Sequence, residues 1–371
     1  MSRRSIQKRP RVSVLIPAFN AGRYIEATLA SALGQTEPDL EIVVVNNGSS
    51  DDTEDRLRAC TDPRLCVINQ ATPGLAAALN AAILAARADY IAFLDADDIW
   101  LPGKLALHLV AHQERPEIDA TFSWVRIIDS QGRPVRMPSP RWRGSVNFFH
   151  LLTDFSIRTM SAIVMKRQAA LRAGLLDQAL SRCVDIDFLL RVTLLRPDNI
   201  VAVPQVLNLY RRHDAQRTSD WSMIRGGWSE LLEKMRALAP DQTAKVERMA
   251  SSNMYRYFAF LAYVSGDFHE ATRLAARSFA LSPGRFFLDR RNWEMSAAVI
   301  ASRIMPTHAL TVLEHWAGFD RPGSKRRAEW STPRHDKTPE LPAKLDEAAF
   351  ASRLPVLKVE RRARTRSASG F

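Results

Sequence analysis

Asp95, Asp97 and Asp98 stand directly after the apolar run Tyr90-Ile91-Ala92-Phe93-Leu94. A short apolar run of this kind reads as a buried strand, so the carboxylates fall where a strand gives way to a loop. Asp95 and Asp97, spaced i and i+2, can point the same way. Carboxylate oxygens suit a hard divalent cation, Mg²⁺ or Mn²⁺, which commonly completes its shell with substrate phosphate oxygens. A metal and diphosphate site is the first expectation. The competing reading takes the acids as caps for a helix starting near Pro102, with proline in its first turn.

Upstream, strand and helix patterns alternate. Val12-Ser13-Val14-Leu15-Ile16 is a short β-branched run closed by Pro17, and Ala21 to Gly34 carries apolar residues at helical spacing. Glu41-Ile42-Val43-Val44-Val45 reads as a second strand, after which Asn46-Asn47-Gly48-Ser49-Ser50 turns the chain and offers caps for a helix through Arg58. Leu65-Cys66-Val67-Ile68 makes a third strand, Pro73 to Arg87 an alanine-rich helix and Tyr90 to Leu94 a fourth strand. Continuously apolar strands alternating with helices imply an α/β fold, a parallel sheet with helices on both faces. In such sheets ligands bind beyond the carboxyl ends of the strands. Pro17-Ala18-Phe19-Asn20, Asn46-Asn47-Gly48 and Asp95-Ala96-Asp97 therefore converge on one crevice.

The runs from Val12 to Asn20, Val43 to Asp51 and Phe93 to Pro102 resemble, in order and spacing, successive blocks of family 2 glycosyltransferases with a GT-A fold. The resemblance covers about residues 10–215. It implies inverting transfer of a sugar from a nucleotide diphosphate donor, with Mg²⁺ or Mn²⁺ on the diphosphate. Carried over residue by residue, Pro17, Ala18, Phe19 and Asn20 line the donor nucleotide, Asn47 reads the base, and Asp95 contacts the ribose or the metal region. Asp97 is the principal metal ligand. Phe19 by itself fits ordinary core packing equally well.

Two departures from the family pattern stand at this end. Asn46-Asn47 replaces the usual pair of aspartates, and an amide oxygen can still accept N3–H of uracil or thymine while its NH₂ donates to a ring carbonyl. UDP- or dTDP-sugars are therefore favoured over guanosine donors, with a neutral bond where the family has a charge-assisted one. Leu79 stands where relatives often place Arg, which puts one diphosphate contact in question.

The acceptor half follows. Asp119 to Arg126 alternates as a strand, Gly132-Arg133-Pro134 marks a turn, and Thr159 to Met165 reads as another strand. Ser181 to Arg191 resembles the family segment in which an Asp opens a helix beside the acceptor, as does Gly174 to Asp177 just before it. That resemblance makes Asp185 the catalytic base, since an inverting transfer needs one carboxylate to take the acceptor hydroxyl's proton. On local pattern alone, Asp185 reads equally as a helix N-terminal carboxylate favoured by the macrodipole. Val184 replaces a Glu common in relatives, Asp187 reads as structural, and Asp177 is the next candidate for a role beside the diphosphate or acceptor.

Tyr210-Arg211-Arg212-His213, after a short strand Val206 to Leu209, matches a further family block. It implies His213 as a metal ligand or diphosphate contact, with Arg211 or Arg212 neutralising the leaving group. A lone His among arginines otherwise reads as a solvated loop residue. His108 and His112, at i and i+4, lack a third ligand nearby and read as an exposed helix face.

The expected division is a basic N-terminal extension (1–10), a GT-A domain (11–220), a helical region (221–320) and a basic, disordered tail (321–371). In the helical region, Ala262 to Ala271 followed by Ala280-Leu281-Ser282-Pro283 resembles one tetratricopeptide-type hairpin. With 46% hydrophobic residues and no apolar run near 18, a soluble protein with a sizeable core is expected. The basic start lacks an apolar segment behind it, which points to a cytoplasmic location. Cys60, Cys66 and Cys183 are scattered, as reduced thiols would be. The net charge is +12, and residues 321–371 hold 13 Lys/Arg against 6 Asp/Glu. Such a tail suits peripheral contact with the inner face of a membrane, where a lipid-linked acceptor resides. No nucleic-acid recognition motif accompanies the charge.

The expected partners are a nucleotide-sugar donor and a glycan or lipid-linked acceptor, with a role in surface polysaccharide synthesis. Two alternatives remain at this stage. A sugar nucleotidyltransferase would want a glycine-rich loop after the first strand, which Pro17-Ala18-Phe19-Asn20 is not. A non-catalytic nucleotide-sugar-binding or partner-docking module would explain the departures at positions 46, 47, 79 and 184 as decay.

Overall fold

The computed structural model describes residues 9–304 except 72–73, 136–138, 140, 155, 214–220 and 287–288. The four apolar runs fold as β1 (Val12–Ala18), β2 (Leu40–Asn46), β3 (Leu65–Asn69) and β4 (Tyr90–Phe93). Between them lie α1 (Ile25–Leu33), α2 (Thr53–Ala59) and α3 (Leu75–Ala85). The expected helix start at Pro73 lies outside the described residues. These strands pair in parallel in the order β3-β2-β1-β4. Alternate residues of β1 serve opposite faces, which is why the strand reads as apolar throughout. Leu15 packs into one core with α3, while Val14 and Ile16 join a second core with Ile25 and Leu29 of α1.

Downstream come β5 (Ile99–Trp100), α4 (Lys104–Glu114), β6 (Ala120–Ile128), β7 (Ser145–Val146) and α5 (Phe148–Asp154). Then follow β8 (Ile163–Lys166), α6 (Arg167–Arg172), α7 (Val184–Leu195) and β9 (Ile200–Arg211). They extend the sheet to β3-β2-β1-β4-β8-β6-β9-β5, with β7 on β9. β6 and β9 run parallel, whereas β8, β5 and β7 pair antiparallel. The expected strand from Thr159 to Met165 is in fact a tight turn, Met160–Ala162, followed by β8, because the Thr159 hydroxyl accepts the Ser161 N–H and ends the extended run. The expected short strand Val206 to Leu209 is part of a longer one. Its register against β6 shifts after Val203, so Pro204 sits in a bulge that needs no N–H from it.

The rest is helical: α8 (Trp221–Leu238), α9 (Pro240–Val264), α10 (Phe268–Leu281), α11 (Pro283–Phe286) and α12 (Arg290–Ile304). Residues of α8 and α9 share one apolar core with α7 and the sheet. In the turn between α9 and α10, Gly266 has φ +87° and no atom stands near the place of a Cβ. Gly266 thus supplies a left-handed turn and not room for close helix approach. Asp267 then caps α10 by accepting the Glu270 N–H at 3.0 Å. Of the basic N-terminal stretch only residues 9 and 10 are described, and the 321–371 tail lies outside the described residues.

Candidate active site

Beyond β4 the acidic loop is held by its neighbours on the turn before β8. The Asp95 N–H donates to Ser161 Oγ at 2.9 Å, and the Thr159 hydroxyl donates to Asp95 Oδ2 at 3.0 Å. Burial first, then the Asp97 charge, pushes the Asp95 carboxyl up to about 6 against the pull of those hydroxyls, with Asp185 adding to the rise. Asp98 is fully buried and accepts the Arg211 N–H at 2.9 Å and the Asn208 side-chain N–H at 3.4 Å. Burial and the neighbouring Asp95 and Asp97 push its carboxyl well above the ordinary range. Asp98 therefore ties the loop to β9.

Asp97 is the acid that meets an imidazole. Its Oδ2 lies 2.9 Å from His213 Nε2. The His213 ring packs on Tyr24 at 5.1 Å between centroids. Arg211, 4% exposed, donates from Nε to the Asp97 carbonyl at 2.8 Å and lies 4.7 Å over the Tyr24 ring. This replaces the expectation that Arg211 neutralises a leaving group: its guanidinium braces the loop. Arg212, half-buried beside it, donates its backbone N–H to Ile128.

These residues fit a divalent cation. A carboxylate and an imidazole converge at Asp97 and His213, and crowding of Asp95 against Asp97 is the charge arrangement a cation relieves. Among the described residues no group of three His, Cys, Asp or Glu side chains makes a closed cage. A cation here would take the rest of its shell from diphosphate and water, as Mg²⁺ and Mn²⁺ do.

At the other end of the crevice the loops after β1 and β2 lace together. Asn20, at φ +48°, accepts the Ser50 N–H at 2.8 Å and gives its own N–H to Ser49 Oγ at 3.0 Å. The Asn47 N–H donates to the Ala18 carbonyl at 2.8 Å. The Asn47 side chain departs from expectation, because its Oδ1 accepts the Gly74 N–H at 2.9 Å and Gln70 Nε2 at 3.4 Å. The oxygen expected to read base N3–H is thus engaged, and the amide NH₂ is the group left to read a ring carbonyl. Phe19 is 53% exposed beside it, and so is not core. Pro17 and Ala18 are backbone lining, with Ala18 fully buried. Leu79 is a core residue of α3, 2% exposed.

Asp185 opens α7 and lines a small cavity with Thr159, Met160, Leu151 and Leu189. Thr159 thus links it to Asp95. Val184 is buried, and Cys183 before it is left-handed at φ +57°. Asp177 lies 2.6 Å from Lys234 Nζ, which with the Ala179 N–H holds its carboxyl below the usual range. That pairing ties Asp177 to α8. Asp187 is likewise buried between Arg191 at 2.6 Å and Lys234 at 2.8 Å.

Sequence reasoning missed Thr159 and Ser161, for which the only signal was a hydroxyl residue able to cap a turn. It also misplaced His108 and His112. Both are buried, not exposed, and form a ladder with Lys104 on the face of α4 against the sheet. Lys104 Nζ donates to the Ala162 carbonyl at 3.0 Å and Ser123 Oγ at 3.2 Å, while His108 Nδ1 lies 2.7 Å from the Thr121 hydroxyl. Cys60, Cys66 and Cys183 are free thiols, and no helix among the described residues is long and apolar enough to cross a membrane.

The site can be set beside known proteins. Residues 13–174 match the model of glycosyl transferase family 2. An uncharacterized glycosyltransferase of Rickettsia typhi is 28% identical over 61% of this chain and 73% of its own length. The Escherichia coli UDP-Glc:alpha-D-GlcNAc-diphosphoundecaprenol beta-1,3-glucosyltransferase WfaP is 42% identical over 26% of this chain and 38% of its own. This chain spans less than half of several other curated relatives. The mannosyltransferase PcManGT of Pyrobaculum calidifontis, solved with GDP-Man and Mn²⁺, shares the fold. Its TM-score is 0.52 at 21% identity, over 80% of this chain and 87% of that one. Residues 13–174 thus carry a glycosyl transferase family 2 domain, within a chain of the GT-A fold.

Proposed function

We propose that this protein is an inverting glycosyltransferase that moves a sugar from a nucleoside diphosphate donor to a hydroxyl acceptor in polysaccharide or glycolipid synthesis. The observation that carries the reading is the cavity shared by Asp185 and Thr159, since the Thr159 hydroxyl holds Asp95. A proton acceptor and the acidic loop thus border one space. The Asp185 carboxylate takes the acceptor O–H proton as that oxygen bonds to the anomeric carbon. The bond to the nucleoside diphosphate breaks on the opposite face, and configuration inverts. Asp97 and His213 would hold a divalent cation, which would supply positive charge for a departing diphosphate.

The Asn47 NH₂ would donate to a ring carbonyl while Phe19 stacks on the base, and since every base but adenine has such a carbonyl, the preference for a UDP- or dTDP-sugar rests on a relative's donor. The activity of WfaP, with UDP-Glc and a diphosphoundecaprenol acceptor, supports a uridine donor and a lipid-linked acceptor. Such an acceptor would bring the enzyme to the cytoplasmic face of a membrane.

The test is turnover of a panel of nucleotide sugars with Mn²⁺, followed by the anomeric configuration of the product. Inversion with UDP- or dTDP-sugar supports the reading. Binding of nucleotides without turnover of any donor or acceptor would favour the non-catalytic module.

A further inference from the structure

We propose that α8 is a clasp that fixes where α7 begins and so positions the Asp185 carboxylate, an inference that rests on the assignment of Asp185 as the base. The start of α7 needs such a hold. Cys183, the residue before it, is left-handed at φ +57° and ψ 23°, and no side chain caps the helix. A non-glycine residue keeps that backbone only where its surroundings impose it.

Three residues on one face of α8, spaced by three and four, supply the surroundings. Lys234 Nζ lies 2.6 Å from Asp177 Oδ2 and 2.8 Å from Asp187 Oδ1, so one ammonium ties the chain before the left-handed residue to the first turn after it. Glu230 accepts the Ser181 N–H at 3.2 Å and its hydroxyl at 3.0 Å. At Gly227, a Cβ would meet Arg182 Cβ at 2.3 Å and Arg182 Cα at 3.0 Å, so only glycine lets α8 press on the residue preceding Cys183.

The contacts bracket Asp185. Lys234 holds Asp177 before it and Asp187 after it, while Asp185 lines the cavity with Thr159. Gly227, Glu230 and Lys234 are thus positioning residues, and the helical region belongs to the support of the base.

Hydrogen exchange of the full chain tests this, with peptides over 180–190 read against peptides over 90–101. Lys234→Met and Gly227→Ala should speed exchange in 180–190 by roughly tenfold or more and leave 90–101 unchanged. Lys234→Arg, which keeps the charge, should restore most of the protection. UDP affinity with Mn²⁺ should stay within about twofold, while UDP release from UDP-glucose should fall by roughly tenfold, a loss in turnover and not in donor binding. If Lys234→Met does not fold, Glu230→Ala, which removes the acceptor of two bonds at the surface, gives the same reading. Unchanged exchange in folded variants overturns the clasp, and so does faster exchange with wild-type turnover. A wild-type protein that turns over no nucleotide sugar would count against the transfer reading, while exchange would still decide the clasp.

Discussion

The two ends of the crevice solve opposite problems. At the base end the asparagine side chains are neutral and tied to neighbouring loops: Asn20 to the Ser50 N–H, Asn46 to the Asn69 side chain and the Ser49 N–H, Asn47 to the Gly74 N–H. The result is a stiff rim that offers one amide group and one exposed ring. At the other end Asp95, Asp97, Asp98 and Asp185 crowd together, and the carboxyls of Asp95 and Asp98 are pushed up by burial and by their neighbours. On the proposed function, shape is built where recognition would occur, and carboxylates are crowded where a cation and a proton would be handled.

The largest test of that contrast is Asp185→Asn. It keeps shape and helix-end preference but removes the proton acceptor, so transfer should fall about 10²- to 10⁴-fold with UDP affinity near wild type. Steady-state rates beside calorimetric UDP titrations check it, and a wild-type rate would move the base elsewhere.

Asp97→Ala comes next. Mn²⁺-dependent UDP binding should weaken by roughly 100-fold or more in a protein of unchanged thermal stability, because a primary ligand is lost. Equal UDP affinity with and without the substitution would remove the metal from this loop.

Behind the acidic end, pH separates acids from histidines. Burial lowers His112 from 6.5 to about 4, so the unfolded chain binds more protons between those values and stability from this group declines as pH falls through the window. Burial and the Asp97 charge raise Asp95 from 3.8 to about 6, so its contribution runs the other way, rising as pH falls from 6. His112→Gln should therefore shrink the acid-side decline by on the order of 3 kcal/mol, read as the difference in unfolding free energy between neutral and acid conditions. An unchanged difference would mean that His112 is not held neutral.

The smallest expected effect lies at the neutral end. Asn47→Asp keeps an oxygen for Gly74 and turns the free amide into an acceptor, which suits uracil N3–H and repels cytosine N3. The UDP over CDP affinity ratio should rise about tenfold, the scale of one hydrogen bond gained or opposed. Competition binding decides, and a constant ratio would show that this side chain does not meet the base.

Much of this architecture could be read from the chain. β1, β2 and β4 were visible because buried parallel strands are written as unbroken apolar runs. The run at Leu65 looked the same, yet β3 is a sheet edge with Cys66 and Val67 exposed, and nothing in four residues distinguishes an edge from a centre. Pro204 hid the length of β9, because a bulge that tolerates proline exists only once β6 is beside it. Asp95, Asp97, Asn47 and Asp185 stood out by type and by the family's spacing. Thr159 and Ser161 did not, since hydroxyls in a β-branched run carry no chemical mark until the fold sets them against Asp95. His108 and His112 looked exposed because a polar pair on a helix usually is. Lys104 and Thr121 make their burial possible.

The tie between Asp98 and β9 matters for anyone recombining this chain with a relative. Asp98 accepts from the backbone of Arg211 and the side chain of Asn208, Arg211 returns a bond to the Asp97 carbonyl, and His213 meets Asp97. Residues 97–98 and 208–213 are distant in sequence yet form one inheritance unit. A chimera that takes one piece from each parent would carry mismatched halves of a lock, and a crossover is safest where both pieces come from the same side.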